Sequence, residues 1–372
     1  MEASYALTVT TLADGDHPLA CTFTLCTLRD AINTANAYPD TQARVINFHA
    51  GVSGTVALTG TLPSITTHNV VLSGANNTIT VSGENLYRVL TVNASASLTL
   101  QKITIANGYS TFSGGAIYNG GALTVTNSTF FNNTDTVFGG AILNEFSASL
   151  NVDSSTIVSN SATTYGGGIY NYGSMKLTNS SILSNSAVIN SGGGINNQGA
   201  LNVTNTTFVG NSAAEYGGGI LNNVVLNVVN STLVGNSAGN NGGGIASGIH
   251  LTMTNTIIAN SPTGGDCASF GNPIAGGYNL IKSTGSSACG LTNGGNGNII
   301  GVDPHLGPLA NNGGPTLPFL PLPGSPAINA GTDAGAPAVD QRGVSRPRGG
   351  LYDIGAVEAT IWMQAYLPMS LR

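Results

Sequence analysis

Cleaving an extended substrate needs a few side chains in register. Glycoside hydrolysis wants two carboxylates roughly 5 to 9.5 Å apart. Elimination wants a Lys or Arg base beside carboxylates that hold Ca²⁺. In this 372-residue sequence the charged residues between 107 and 262 are only Asp135, Glu145, Asp153, Lys176 and Glu215. A denser set lies further on, in VDQRG, RPRGG and YDIGAVE, where Arg342, Arg346 and Arg348 fall near Asp340, Asp353 and Glu358. That cluster reads as buried ion pairs locking an irregular segment, with a ligand or Ca²⁺ site as the alternative. His17, His49, His68, His250 and His305 are scattered, without an i,i+4 pair or a neighbouring cysteine, and no metal site is expected from them. Cys21/Cys26 and Cys267/Cys289 form two close pairs without CxxC spacing, which reads as two local disulfides of an exported protein.

Whether the isolated charges meet depends on what positions them, and that is a repeat. Gly-Gly-(Ala/Gly)-Ile ends at Ile117, Ile142, Ile169, Ile195, Ile220 and Ile245, at spacings of 25, 27, 26, 25 and 25. An apolar pair, one residue and Asn end at Asn133, Asn160, Asn185, Asn211, Asn236 and Asn260, and Asn107 keeps the period once more. Between these lie alternating stretches such as LTVTNST and LNVTNTT, the pattern of half-buried strands. No helical periodicity intervenes. The expectation is a β-solenoid with about 25 residues and about three strands per coil, stacked into roughly ten coils. Leu123, Leu150, Met175, Leu201, Leu226 and Leu251 then form one inward column, and Val125, Val152, Leu177, Val203, Val228 and Met253 the next. The asparagines from Asn107 to Asn260 stack as a ladder, and Asn119, Asn144, Asn171, Asn197 and Asn222 as a second one. A phosphate cradle at GGGI would need a following Lys and helix, and has neither.

In this register no two acids stack: Glu145 falls on Tyr172, Asp153 on Thr178 and Lys176 on Asn151, so these charges read as isolated and solvated. No catalytic residue, metal or cofactor is assigned. The outward positions carry Thr124, Asn151, Lys176, Asn202, Asn227 and Thr252, then Thr126, Asp153, Thr178, Thr204, Val229 and Thr254. Thr124, Thr126, Thr178, Asn202, Thr204, Asn227, Thr252 and Thr254 are the candidate binding face. Six Asn-x-Ser/Thr sequons, at Asn76, Asn93, Asn127, Asn179, Asn205 and Asn230, recur with the repeat and read as turn chemistry before glycosylation.

The flanks divide as 1–44, an N-terminal cap holding the helix candidate CTLRDAINTANAY; 45–262, the solenoid; 263–360, its end and an irregular cap; and 361–372, a tail. In the helix Leu28, Ala31, Ile32 and Ala35 share a face. Charged residues make up only 7%, net charge is −6 and pI about 5.2, which argues against a phosphate-tracking nucleic-acid binder. No apolar run reaches the 18 or so residues of a membrane span. The opening MEASYALTVTT lacks the basic and apolar regions of a signal peptide, so export would imply a mature form beginning at a replacement Met1.

CTLRDAI resembles the CSLREA-type motif of bacterial surface proteins. GGYNLI, DPHLGPLANNGGPT, GSPAINAG, DQRG and DIGAVE resemble the C-terminal segment of the choice-of-anchor Q family. GGAI followed by apolar-x-x-Asn is similar to the repeats of chlamydial polymorphic outer-membrane proteins. These resemblances imply an all-β, right-handed parallel β-helix of the pectin-lyase-like type, extracellular or held at the bacterial surface, with no common catalytic residues. The expected role is a structural or adhesive module with glycans, cell-surface material or further copies of itself as partners. The alternative is a carbohydrate-active β-helix enzyme, a polysaccharide lyase or glycoside hydrolase.

Overall fold

The computed structural model describes residues 5–16, 21, 25–37 and 43–359. Alternating apolar residues make strands, and each regular coil has four of them, not about three. Ala122–Thr126, Thr129–Phe131, Thr134–Asp135 and Ile142–Asn144 are one example. The two-residue strand is too short to show an alternation. Equivalent strands pair in parallel from coil to coil, giving a first face of 11 strands, a second of 11, a third of 6 and a fourth of 8. The whole is a right-handed parallel β-helix of about 10 turns.

The core is a set of columns. Leu123, Leu150, Met175, Leu201, Leu226 and Leu251 stack in register at no more than 3% exposure. Phe130, Ile157, Ile182, Phe208, Leu233 and Ile258 do the same beneath the second face. The Ile117-to-Ile245 column ends on Cys267, which pairs with Ile245 and is bonded to Cys289 at a Cα–Cα distance of 4.9 Å. Cys21 and Cys26 form the second disulfide, at 4.5 Å. The glycines before each Ile are needed by geometry. Gly139 sits at φ 68°, and a Cβ on Gly140 would strike the carbonyl of Gly167 on the next coil.

At the N-terminal end the first face begins earlier than the boundary at residue 45, because Tyr5–Val9 pairs with Arg44–Phe48. Between them the helix Leu28–Ala37 buries Leu28, Ala31, Ile32 and Ala35 in the core. A reciprocal cap starts it: Asp30 N–H donates to Thr27 Oγ1 and Thr27 N–H to Asp30 Oδ2, both at 3.1 Å. At the other end residues 304–359 run back along the flank. Thr316 Oγ1 donates to the Asn179 carbonyl, Asn205 Nδ2 to Val339, Ala356 N–H to Thr232 Oγ1, and Thr332 N–H to Asn255 Oδ1. This strap crosses four successive coils. The tail 361–372 lies outside the described residues.

The ladder runs from Asn133 through Asn160, Asn185 and Asn211 to Asn236. Each Oδ1 after the first accepts the preceding asparagine's Nδ2, at 2.8 or 2.9 Å. Asn107 and Asn260 are corrections to the expected ladder. Ala106 faces Phe131, so Asn107 falls beside Asn132 and Gly108 takes the ladder position. Ala259 faces Val234, so Asn260 falls beside Gly235 and is held at the surface by Lys282. Counting from an apolar pair mistook Ile257-Ile258 for a pair that the sheet sets at Ile258-Ala259. The second ladder, Asn119 to Asn222, is intact and fully buried. Asn185→Leu strips partners from the Asn160 amide and the Ile157 carbonyl. It is expected to cost about 3 kcal/mol in urea unfolding. Asn260→Gly, in the column where Gly210 and Gly235 already sit at positive φ, is expected to be near neutral.

Candidate binding site

The sheet register places the sequence-derived outward residues in two columns on the first face. Thr124, Asn151, Lys176, Asn202, Asn227 and Thr252 form one; Thr126, Asp153, Thr178, Thr204, Val229 and Thr254 the other. All are exposed or half-buried. This face is flat, and several of its polar groups bind each other: Asn227 Nδ2 donates to Asn202 Oδ1 at 2.9 Å, and Thr178 Oγ1 to Asp153 Oδ1 at 2.6 Å. The turn that follows is left-handed at Asn127, Asn179, Asn205 and Asn230, with φ between 44 and 50°. Asn205 and Asn230 are buried under the strap, closed to glycosylation in the folded chain.

The carboxylates behave differently from a set of solvated charges. Asp135 is fully buried, where solvent exposure was expected. The coil turns inward there, and Asp135 takes N–H groups from Ser113 at 2.8 Å, Val137 at 2.6 Å and Phe138 at 2.7 Å. Burial pushes its pKa up despite those three bonds. The strap cluster consists of buried ion pairs, Arg346–Glu358 and Arg342–Asp340, both at 2.6 Å. Asp340, Asp353 and Glu358 also accept the backbone N–H groups of Val344, Ala359 and Arg348. Their oxygens are spent on holding the strap.

Concavity lies elsewhere, at the corner between the third and fourth faces. A groove of about 650 Å³ is lined there by Phe138, Tyr165, Tyr170, Tyr172, Asn190, Ser191, Gln198, Glu215, Tyr216, Leu221, Asn223 and Phe270. Its origin is a change in one coil. Tyr170 pairs with Asn196, which pairs with Leu221, so a small amide interrupts a bulky column. Ser191 likewise stands where the neighbouring coils carry Tyr165 and Tyr216. On one side of this slot Phe138, Tyr170 and Tyr172 pack as tilted rings, with centroids 4.7 and 4.6 Å apart. On the other Tyr216 meets Phe270 edge-on at 5.8 Å, and Phe270 is 57% exposed. The slot floor is polar, with Gln198 Nε2 donating to Asn196 Oδ1 at 3.0 Å.

Among the described residues Glu215 is the one carboxylate in the lining, and no Lys, Arg or His lines the groove. Along the axis Glu215 stands between Asn190 and Asn240, so neither adjacent coil sets an acid or base beside it. Burial, reinforced by the neighbouring Tyr172 hydroxyl, pushes the Tyr170 phenol well above the usual range and keeps it neutral. The slot therefore offers aromatic faces, amides and one negative charge. Sequence reasoning missed it. The signal was an aromatic residue before three of the six glycine runs, at Phe138, Tyr165 and Tyr216, with Tyr172 and Phe270 further along their coils.

Residues 127–145, which include Phe138 and the Gly-Gly-Ala-Ile corner, are similar to the Chlamydia polymorphic membrane protein repeat. Nothing among curated proteins or solved structures matches the chain.

Proposed function

We propose that this β-helix is a surface-exposed attachment module that grips its target through the aromatic slot and does not cleave it. The observation that carries the reading is the slot's composition: tilted and edge-on aromatic rings and amides around a single carboxylate flanked by amides. Glycoside hydrolysis by the usual route takes a carboxylate pair, and elimination takes a base beside bound cations. Recognition needs neither, and large apolar surfaces with a few placed polar groups are how small-ligand sites are built. Export is supported by the two disulfides and by the likeness of residues 127–145 to a membrane-protein repeat. The resemblance of the N-terminal and C-terminal segments to bacterial surface proteins agrees with it. No helix among the described residues is long and apolar enough to cross a membrane. The flat first face, with Asn202, Thr204 and Asn227, is a secondary platform in this proposal.

The test compares purified variants for attachment to cells and to cell-wall material. Tyr172→Ala with Tyr216→Ala is expected to cut attachment at least about tenfold. Alanine at Asn202, Thr204 and Asn227 together is expected to cut it less than about threefold. Circular dichroism should show the β-helix intact in both, because all five side chains lie outside the core columns. Attachment unaffected by the tyrosine changes, or cleavage of a polysaccharide that Glu215→Gln removes, would overturn the reading.

A further inference from the structure

We infer that the slot takes an uncharged saccharide chain; this rests on the attachment reading above and names its ligand class. The ring faces set the first requirement. Tyr170 and Tyr172 are inclined at 58°, and Tyr216 and Phe270 at 86°, so each group presents a π-face and an edge rather than a closed stack. A sugar ring carries a face of C–H bonds that packs on such a surface, while its hydroxyls project around the rim. The second requirement comes from the polar lining. Asn190, Gln198 and Asn223 each offer both a donor and an acceptor, which suits hydroxyl groups that do the same.

Glu215 decides between chemistries. A carboxylate only accepts, so its partner must donate, and a saccharide hydroxyl does. A proline-rich peptide, the other ligand that aromatic grooves commonly take, offers mainly carbonyl acceptors and has little use for it. Charge decides between saccharides. With one negative side chain and no cation among the described lining residues, a uronate or sialylated chain would set its carboxylate against Glu215 uncompensated. The groove volume, about 650 Å³, lies at the middle of the range for small-ligand sites, room for a short run of rings instead of one.

The experiment titrates the whole protein with neutral β-linked gluco- and chito-oligosaccharides, with oligogalacturonate and with a proline-rich peptide, following tyrosine fluorescence and heat. A neutral oligosaccharide is expected to bind at least about tenfold tighter than oligogalacturonate. Tyr172→Ala is expected to weaken the neutral ligand about tenfold. Glu215→Gln is expected to narrow the gap between neutral and acidic ligands while leaving thermal unfolding unchanged. Tighter binding of the acidic chain or of the peptide, or no binding of any neutral chain, overturns the assignment. If the tyrosine variants lose attachment to cells but neutral oligosaccharides fail to compete with it, the ligand class is wrong and the attachment role stands. If they keep attachment, the role itself falls.

Discussion

Leu201→Asp is expected to abolish cooperative folding, while Thr204→Asp, three residues along the same strand, leaves stability within about 0.5 kcal/mol. Leu201 is 0% exposed, between Met175 and Leu226 in the first inward column. An aspartate there is an unpaired charge surrounded by aliphatic carbon, a defect in the class that costs more than about 4 kcal/mol. Single domains hold only about 5 to 15 kcal/mol in total. A solenoid is hit harder than that comparison suggests, since each coil is stabilised only by its neighbours and a failed coil leaves two unpaired stacks. Thr204 points outward and is half-buried among Thr178 and Val229. Urea unfolding followed by circular dichroism separates the two, and equal effects would mean that the strand register is off by one residue.

That register was legible because its cause is local. Alternation of Leu and Val with Thr and Asn assigns each side chain a face, and a period near 25 assigns it a column. The helix face at Leu28, Ala31, Ile32 and Ala35 follows from spacing in the same way. The failures have physical reasons too. Asn107 was misplaced because a period that varies from 25 to 27 cannot fix a position to one residue, and Asn260 because a motif count cannot sense which of two adjacent apolar residues the sheet turns inward. Asp135 seemed solvated because three backbone N–H groups from nearby turns hold it, and sequence does not display turn amides. The slot depends on a difference between coils: Ser191 and Asn196 count as an absence of bulk only beside Tyr165, Tyr170 and Tyr216. The strap was least legible of all. Gln341 reaches Ser180 across 161 positions and also accepts from Thr207, contacts that no periodicity announces.

The strap carries the other large expected effect. Arg346→Ala is expected to release residues 304–359 from the flank while the coils stay folded, seen as rapid proteolysis of the strap with little loss of β-sheet signal. Arg346 and Glu358 have side chains 0% exposed, and Arg346 also donates to the Gly355 carbonyl at 3.0 Å. Removing the cation strands the Glu358 carboxylate in a dry site, a loss of about 3 to 5 kcal/mol. Arg346→Met with Glu358→Gln removes both charges and is expected to recover much of it. Proton binding gives an independent handle. Burial, ahead of the opposing N–H bonds from Ala359 and Asn329, raises Asp353 from 3.8 to about 6, and Glu358 nearby adds to the rise while Arg346 opposes it. Between those two values the fastened strap binds more protons than the released one, so the stability it gains in acid is lost as pH rises through about 6. The loss amounts to about 3 kcal/mol at most. Strap proteolysis should therefore be slower at pH 5 than at pH 7.5 once protease activity is normalised. A rate that is flat across that window, or that increases on acidification, would show that Asp353 is already ionised in the fastened state. Strap release in Arg346→Ala accompanied by collapse of the sheet signal would show that strap and coils unfold as one unit.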